Sequence, residues 1–397
     1  MPTSWINIII FLAAVQGFFL TTLIFHKHRR LYANRFLGLM MLFYSLILLN
    51  LFLMEINFYL KVHFPFVILL GIPLLVSPLH FLYAKYIIHP EWKFTRKDWL
   101  HFLPYILYQC SIFIEYALVG TPHFVPKESI ESIEYPLEFT IFNGIITIQA
   151  LTYFILTIII VHRYSKKLKN AFSSIEKIKL TWLRNITSLA LGVLCFFIFE
   201  NIFMLAGINL SNYFNFSSVL FAIAIYVMGY MGLFRSEIFG APEISRQMSQ
   251  LNEMQKYELP SAAQDEPPQK YEKSGLTPEK AKTYLQQLQQ TMQAEKLYRN
   301  SNLTLAELAD NLSISQHNLS EVLNTRMQQN FFDFVNQYRV EEAKQALVDP
   351  AKQHLKILAI AFEVGFNSKT SFNTTFKKHT RQTPSEFRRQ AKEPFSH

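Results

Sequence analysis

Two sets of side chains near the C-terminus carry most of the chemistry that this sequence offers. Gln316, His317, Ser320, Glu321 and Asn324 form one set; Lys369, Thr370, Asn373, Thr374 and Lys377 form the other. Steps of one, three and four residues place each set on one face of a helix. Amide, hydroxyl, imidazole, carboxylate and ammonium groups at the start of such a helix can meet the donors and acceptors on base edges in a major groove. Lys378, Arg381, Arg388 and Arg389 add cations suited to phosphates. The expected partner is therefore double-stranded DNA. Enzyme chemistry is poorly served: there is no nucleophile–base constellation, no Gly-rich phosphate loop and no CxxC pair. The two cysteines, Cys110 and Cys195, both fall inside apolar runs and read as small packing residues. No metal and no cofactor is expected.

A repeat supplies the elements that would hold these side chains. Leu305, Leu308, Ala309 and Leu312 recur as Ile357, Ile360, Ala361 and Val364, and after a turn Ser315, Leu319 and Leu323 recur as Ser368, Phe372 and Phe376. A helix, a tight turn and a second helix thus occur twice. Thr304 and Glu307 form a capping box for the first helix, and Ser315 caps the second after the turn Ser313-Ile314-Ser315. A long helix over about Phe331 to Val348 follows and stops before Pro350; at 1.5 Å per residue it spans about 27 Å, close to the repeat of duplex DNA. In the second unit Gly365 supplies the turn and Ser368 the cap, and Thr383-Pro384-Ser385-Glu386 starts a last short helix.

From about Leu297 to Arg389 this pattern resembles the DNA-binding domain of the AraC/XylS family of bacterial transcription regulators. The resemblance rests on the paired units joined by a long helix, on Ala361-Phe362-Glu363-Val364-Gly365-Phe366 with Ser368 and Phe372, and on Thr383-Pro384-Ser385-Glu386-Phe387-Arg388. It implies that the second helix of each unit enters successive major-groove segments, with His317, Ser320 and Glu321, then Thr370, Asn373 and Thr374, at the bases. Glu321 would repel phosphate but could accept from a cytosine amine. Ser313 departs from the pattern, standing where a turn glycine is usual, which implies a looser or differently turned first unit.

The rest of the chain is unlike a soluble regulator. Charged residues make up 17% of the 397 residues, there are 37 Phe, and the formal net charge is +9. Seven apolar runs, each roughly 19 to 25 residues, are long enough to cross a bilayer as helices. They are Trp5–Phe25, Phe36–Met54, Phe64–Ile88, Trp99–Val119, Phe139–Val161, Ile186–Ala206 and Phe216–Phe234. The first does not read as a signal peptide, because no basic residue precedes it. Basic residues cluster in alternate connections: Lys27, Arg29, Arg30 and Arg35; Lys93, Arg96 and Lys97; then Arg163, Lys166, Lys167, Lys169, Lys177, Lys179 and Arg184. The other connections carry only Lys61 and Lys127, beside Glu128, Glu131, Glu134 and Glu138. Positive residues stay inside, so the N-terminus is expected outside and the C-terminal domain in the cytoplasm of a bacterial cell, on a multi-pass protein of the cytoplasmic membrane. Trp5, Trp92, Trp99 and Trp182 sit at run ends or in connections, as interfacial anchors do.

The expected fold is all-α: a seven-transmembrane-helix bundle over 1–234, a juxtamembrane segment and linker over 235–275, and a soluble all-α domain with two helix-turn-helix units over 276–397. Pro260, Pro267 and Pro268 break the linker, whose forty or so residues would reach about 35 Å root-mean-square. Ala281, Leu285, Leu288 and Met292 then form one helical stripe, which either packs on its own domain or pairs two chains as a short coiled coil in a homodimer. Within the apolar runs Glu200, His80 and Glu115 are ionisable, and such groups are candidates for a sensing site; Asn201 neighbours Glu200, and Pro73 and Pro78 are expected to kink the third run. The seventh run has no lysine, which excludes a retinal Schiff base, and His26 and His28 flank Lys27 in a basic turn suited to lipid headgroups. Partners expected are DNA, the lipid bilayer, a signal ligand of unknown identity and a second copy of the chain. The expected function is a non-enzymatic, membrane-bound DNA-binding regulator. The alternatives are a transporter or intramembrane enzyme with an autoregulatory DNA-binding domain, or a tethered regulator whose spans sense nothing.

Overall fold

A computed structural model of the chain describes residues 5–27, 32–56, 58, 68–89, 92–119, 137–175, 180–205, 219–227 and 276–392. The linker over 235–275, most of the seventh run and the acidic stretch from Glu128 to Glu134 lie outside the described residues. Among the described residues there is no strand, and one isolated bridge pairs Phe172 with Thr304. Two units are distinguished: Met1–His162 with Leu180–Met248, and Arg163–Lys179 with Ser249–His397.

In the first unit the helices are α1 (Trp5–Lys27), α2 (Ala33–Glu55), α3 (Pro73–Ile88), α4 (Leu103–Val119), α5 (Leu137–Ala171, whose last residues belong to the second unit) and α6 (Thr181–Leu205). Among the described residues, five helices, Trp5–His26, Ala33–Glu55, Ile68–Ile88, Ile141–Ala171 and Thr181–Phe203, are long and apolar enough to cross a membrane. The fourth run differs from expectation. Its first residues form a 3-10 turn, Arg96–Phe102, and the helix proper, Leu103–Val119, has 17 residues, about 25 Å. Of the seventh run, residues 219–227 are helical and the remainder is not described. Outward faces carry large apolar side chains, among them Phe19, Leu107, Ile114, Leu118, Ile148 and Ile202. Cys110 and Cys195 are also exposed, so neither is a core packing residue.

Four buried or part-buried hydroxyls in these helices are satisfied without water. Thr21, Ser45, Thr157 and Thr187 each donate to the carbonyl four residues back, at 2.7–2.9 Å, which suits a helix meant for hydrocarbon. Close packing fixes the α1–α2 pair: a Cβ on Gly17 would lie 2.1 Å from Ser45 Oγ, so only glycine lets the two helices approach there. The third run breaks at Gly71–Ile72 and α3 restarts at Pro73, a first-turn position that needs no N–H. Pro78 lies inside α3 and cannot donate to Leu74; the carbonyl it frees accepts instead from Gln149 Nε2 of α5, at 2.9 Å. Beyond α3, Asp98 is buried and holds its connection: it accepts from Lys85 Nζ at 2.6 Å, Tyr86 Oη at 2.9 Å and Thr95 N and Oγ1 at 2.8 Å. Burial alone would raise its pKa, but these four donors hold the carboxyl well below the usual range.

The second unit contains α7 (Pro278–Glu295), α8 (Leu305–Asn311), α9 (Gln316–Arg326), α10 (Phe331–Val348), α11 (Ile357–Glu363), α12 (Lys369–Thr380) and α13 (Pro384–Lys392). Caps start them as the residue types require. Thr277, Ser315, Asn330 and Ser368 accept from the third residue beyond, and Thr304–Glu307 forms a reciprocal capping box. The α7 stripe turns inward: Ala281, Leu288 and Met292 are buried, the latter two against Leu319, Leu323 and Phe331. It therefore packs on its own domain and offers no seam for a coiled coil.

Two cores share α10. Phe331, Phe334 and Val335 from its first half join α7, α8 and α9; Val340, Ala343, Ala346 and Leu347 from its second half join α11 and α12. Between them α10 buries two polar residues, Asn336 and Arg339. Each unit turns through a positive φ, Ser313 at 55° and Gly365 at 100°. A Cβ on Gly365 would lie 2.4 Å from Tyr298 O and 2.8 Å from Arg299 O.

Two tests follow from these contacts. Gln149→Leu strands the Leu74 carbonyl and should lower the thermal stability of the detergent-solubilised chain by roughly 1–3 kcal/mol. Adding Pro78→Ala should abolish that penalty, because the helix then supplies its own donor. In the second unit, Gly365→Ala should cost roughly 2–4 kcal/mol, while Ser313→Gly should stabilise by up to about 1 kcal/mol; thermal unfolding of the purified variants measures both.

Candidate nucleic-acid interface

Helix α12 presents its predicted face. Lys369, Thr370, Thr374 and Lys377 are exposed and Asn373 is half-buried, while Phe372 and Phe376 on the opposite side fill the second core. The Ser368 hydroxyl, accepting from Ser371 N at 3.0 Å, fixes where this helix begins and so which residues form its leading turn. Around it Lys378, Arg381 and Arg389 are exposed. Lys378 also pairs with Asp333 of α10 at 2.6 Å, which ties the second recognition helix to the long helix. Arg388 is not available to phosphate as expected: it is half-buried, and its Nη1 donates to Leu355 O at 2.8 Å, closing the loop ahead of α11.

Helix α9 is different. Gln316, His317, Ser320 and Asn324 are half-buried, and Glu321 is only 7% exposed. Glu321 therefore does not face outward, contrary to expectation, and its carboxylate is not presented to a base edge. Packing explains this, because α9 is wedged among α7, α8 and α10, which cover the side that carries Glu321. His317 Nδ1 lies 3.7 Å from Glu321 Oε2. Asn324 turns its amide back to Ser320, donating to the backbone carbonyl at 2.8 Å and to the hydroxyl at 3.2 Å. The two units thus offer unequal surfaces, with cations on the second and self-paired polar groups on the first.

This arrangement can lay a cationic helix end against a duplex groove, and it matches a known domain. Residues 308–390 match the family model described as a helix-turn-helix domain. The second unit of this chain contains an AraC-type helix-turn-helix domain. An uncharacterized HTH-type transcriptional regulator of Staphylococcus aureus strain COL is 34% identical over 93 residues, 23% of this chain and 12% of that protein. A probable transcription factor of Proteus vulgaris, PqrA, is 28% identical over 102 residues, 26% of this chain and 81% of that one. A protein of unknown function from Listeria innocua is 25% identical over 27% of this chain and 95% of its own, with a TM-score of 0.24. The chain thus spans only a small part of the Staphylococcus relative. Both the Staphylococcus and the Proteus relative are described as transcription regulators or factors, and each is matched through this C-terminal part of the chain.

The candidate sensing residues do not form one site. His80 is buried, with Nε2 2.9 Å from Thr187 Oγ1 and its ring edge-on to Phe154. Since Thr187 donates to Leu183 O, its oxygen is free to accept from the imidazole. Glu200 is half-buried on the same helix as Thr187, thirteen residues and about 20 Å further along. Beside it, Asn201 donates to Phe197 O at 2.7 Å.

Sequence reasoning missed the buried polar pair Asn336 and Arg339, whose guanidinium donates five hydrogen bonds. Their signal was present: an amide and a guanidinium three apart on the buried and otherwise apolar stripe of an amphipathic helix.

Carboxylates set the acid limit of this domain. Burial would raise the Asp333 and Glu342 pKa values, but Lys378 and Asn330 lower the first, and Arg299 and Lys296 lower the second, leaving both below their ordinary values. Groups depressed on folding stabilise above their unfolded pKa and lose that contribution as pH falls through the folded one. The domain should therefore hold constant stability near neutrality and weaken from the ordinary carboxylate range downward. Asp333→Asn should flatten part of that decline in denaturant titrations at stepped pH.

Proposed function

We propose that this chain is a membrane-embedded, one-component transcription regulator, in which a signal received by the apolar helices alters promoter binding by the AraC-type domain. The observation that carries the reading is the conjunction in one chain of membrane-length apolar helices and an exposed cationic recognition helix, α12. The alternation of basic connections supports a cytoplasmic C-terminus, where the domain can meet the chromosome. Thr370, Asn373 and Thr374 read bases, and Lys369 and Lys377 hold phosphates. Gln316, His317 and Ser320 contribute from the first unit with less exposed side chains. His80 and Glu200 are separate candidates for receiving the signal, and a ligand acts there only through unequal affinity for two states. A second copy of the chain on a paired operator is compatible with this reading, although α7 would not be what joins them.

Genome-wide mapping of sites bound by the tagged full-length chain tests the proposal. Occupancy should concentrate at a few promoters sharing a sequence. Asn373→Ala should reduce it roughly 5- to 150-fold, the loss expected for one bidentate base contact. A uniform distribution, or a reporter at His397 found on the outer side of the membrane, would defeat the reading.

A further inference from the structure

Within the second unit, the segment that follows α5 is inserted into the DNA-binding domain. Phe172, Ser173 and Ile175 are buried at 5%, 1% and 3% exposure, and Ser173 uses every polar atom it has. Its N–H donates to Leu303 O at 3.1 Å. Its carbonyl accepts from Arg339 Nη1 at 3.0 Å and Asn336 Nδ2 at 3.2 Å. Its hydroxyl accepts from Arg339 Nη2 at 3.1 Å. Next to it, Ser174 Oγ accepts from Asn367 Nδ2 at 2.6 Å, and Phe172 bridges to Thr304.

These partners are not scattered. Leu303 and Thr304 open the first helix-turn-helix unit, Asn336 and Arg339 mark the changeover between the two cores on α10, and Asn367 lies in the turn of the second unit, one residue before the cap of α12. One short segment therefore touches both reading units and the helix that joins them. Arg339 depends on it. The guanidinium has five N–H directions, and each meets an acceptor: Nε on Tyr298 O at 2.7 Å, Nη1 on Ser173 O and on Asn336 Oδ1 at 3.1 Å, Nη2 on Ser173 Oγ and on Asn300 O at 2.8 Å. Two of the five come from Ser173, at a residue only 1% exposed. Withdrawing the segment strands two donors in a buried site, so the domain cannot keep the same arrangement at no cost.

We propose that Phe172–Ile175 is the input contact of the DNA-binding domain, an intramolecular key that holds its two units in the reading arrangement and carries the state of the apolar helices to them. This rests on the regulator reading above and names its route. The key continues directly from α5, whose 35 residues extend about 52 Å, well beyond a hydrocarbon core of about 30 Å. A helix is stiff along its axis, so displacement of α5 acts on Ser173 without passing through the long linker. The docked state is the reading state, because Lys369, Thr370, Thr374 and Lys377 stay exposed while the key is in place.

The test uses the full chain in native membranes. With Cys110→Ala and Cys195→Ala as background, Ser174→Cys and Asn367→Cys should be joined within one chain by a short bifunctional thiol reagent. Ile175→Asp, which puts a charge where the key is buried and alters none of the DNA-facing residues themselves, should abolish that link. Without the cysteine pair, Ile175→Asp should lower occupancy of the chromosomal fragments recovered with the wild-type chain by fivefold or more, at unchanged membrane abundance. Ser173→Gly, which keeps the backbone contacts and removes one acceptor from Arg339, should give a smaller loss and serves if the aspartate variant does not accumulate. Absence of the link in the wild-type background overturns the proposal, as does loss of the link with occupancy unchanged or raised. If the wild-type chain recovers no selected fragments, the regulator reading itself fails, whatever the link shows.

Discussion

A single buried guanidinium organises the second unit. Arg339 lies where one hydrophobic core ends and the other begins, and a charge there is tolerable only because its N–H groups are met by carbonyls, an amide and a hydroxyl. Those acceptors come from three separate stretches of chain: Tyr298 and Asn300 ahead of α8, Asn336 on α10 itself, and Ser173 far earlier in the sequence. Hydrophobic packing alone would let the two cores slide along α10, since apolar contact has no preferred direction. Directional bonds at the seam remove that freedom. Gly365 belongs to the same junction, because its missing Cβ lets the second turn approach Tyr298 and Arg299.

The two helix-turn-helix units share a scaffold but not a surface. Their apolar residues correspond, and both second helices are capped by serine. In α9 the neighbouring helices cover the side that carries Glu321, whereas α12 keeps its face open and lines it with lysines. Exposed lysines gather on the second unit, while α9 carries one exposed cation, Arg326, in its last turn.

Local signals were legible in the sequence, and non-local ones were not. Hydroxyl and amide caps, Pro350 after α10 and the apolar steps of the repeat depend on neighbours within a few residues, so Phe331–Val348 could be read to its ends. Glu321 and Arg388 were misjudged because a helical period tells which residues share a face but not how many faces are covered. The 17-residue helix behind Trp99 shows the same limit in the apolar part: composition marked the run, while Asp98, pinned by Lys85, Tyr86 and Thr95, caps a 3-10 turn over its first residues. Ser173 could not have been found at all, since nothing in a serine pair after a basic helix end announces a partner more than 160 positions away.

The bond from Gln149 to Leu74 has a further meaning for a bundle that would carry information. In hydrocarbon an exposed carbonyl has no solvent to turn to, so the side chain works as a pawl on a toothed wheel: slight turning of α5 against α3 is opposed, and a larger turn needs another partner waiting for that oxygen. Movement of a helix held in this way in hydrocarbon would favour discrete resting places over a smooth range.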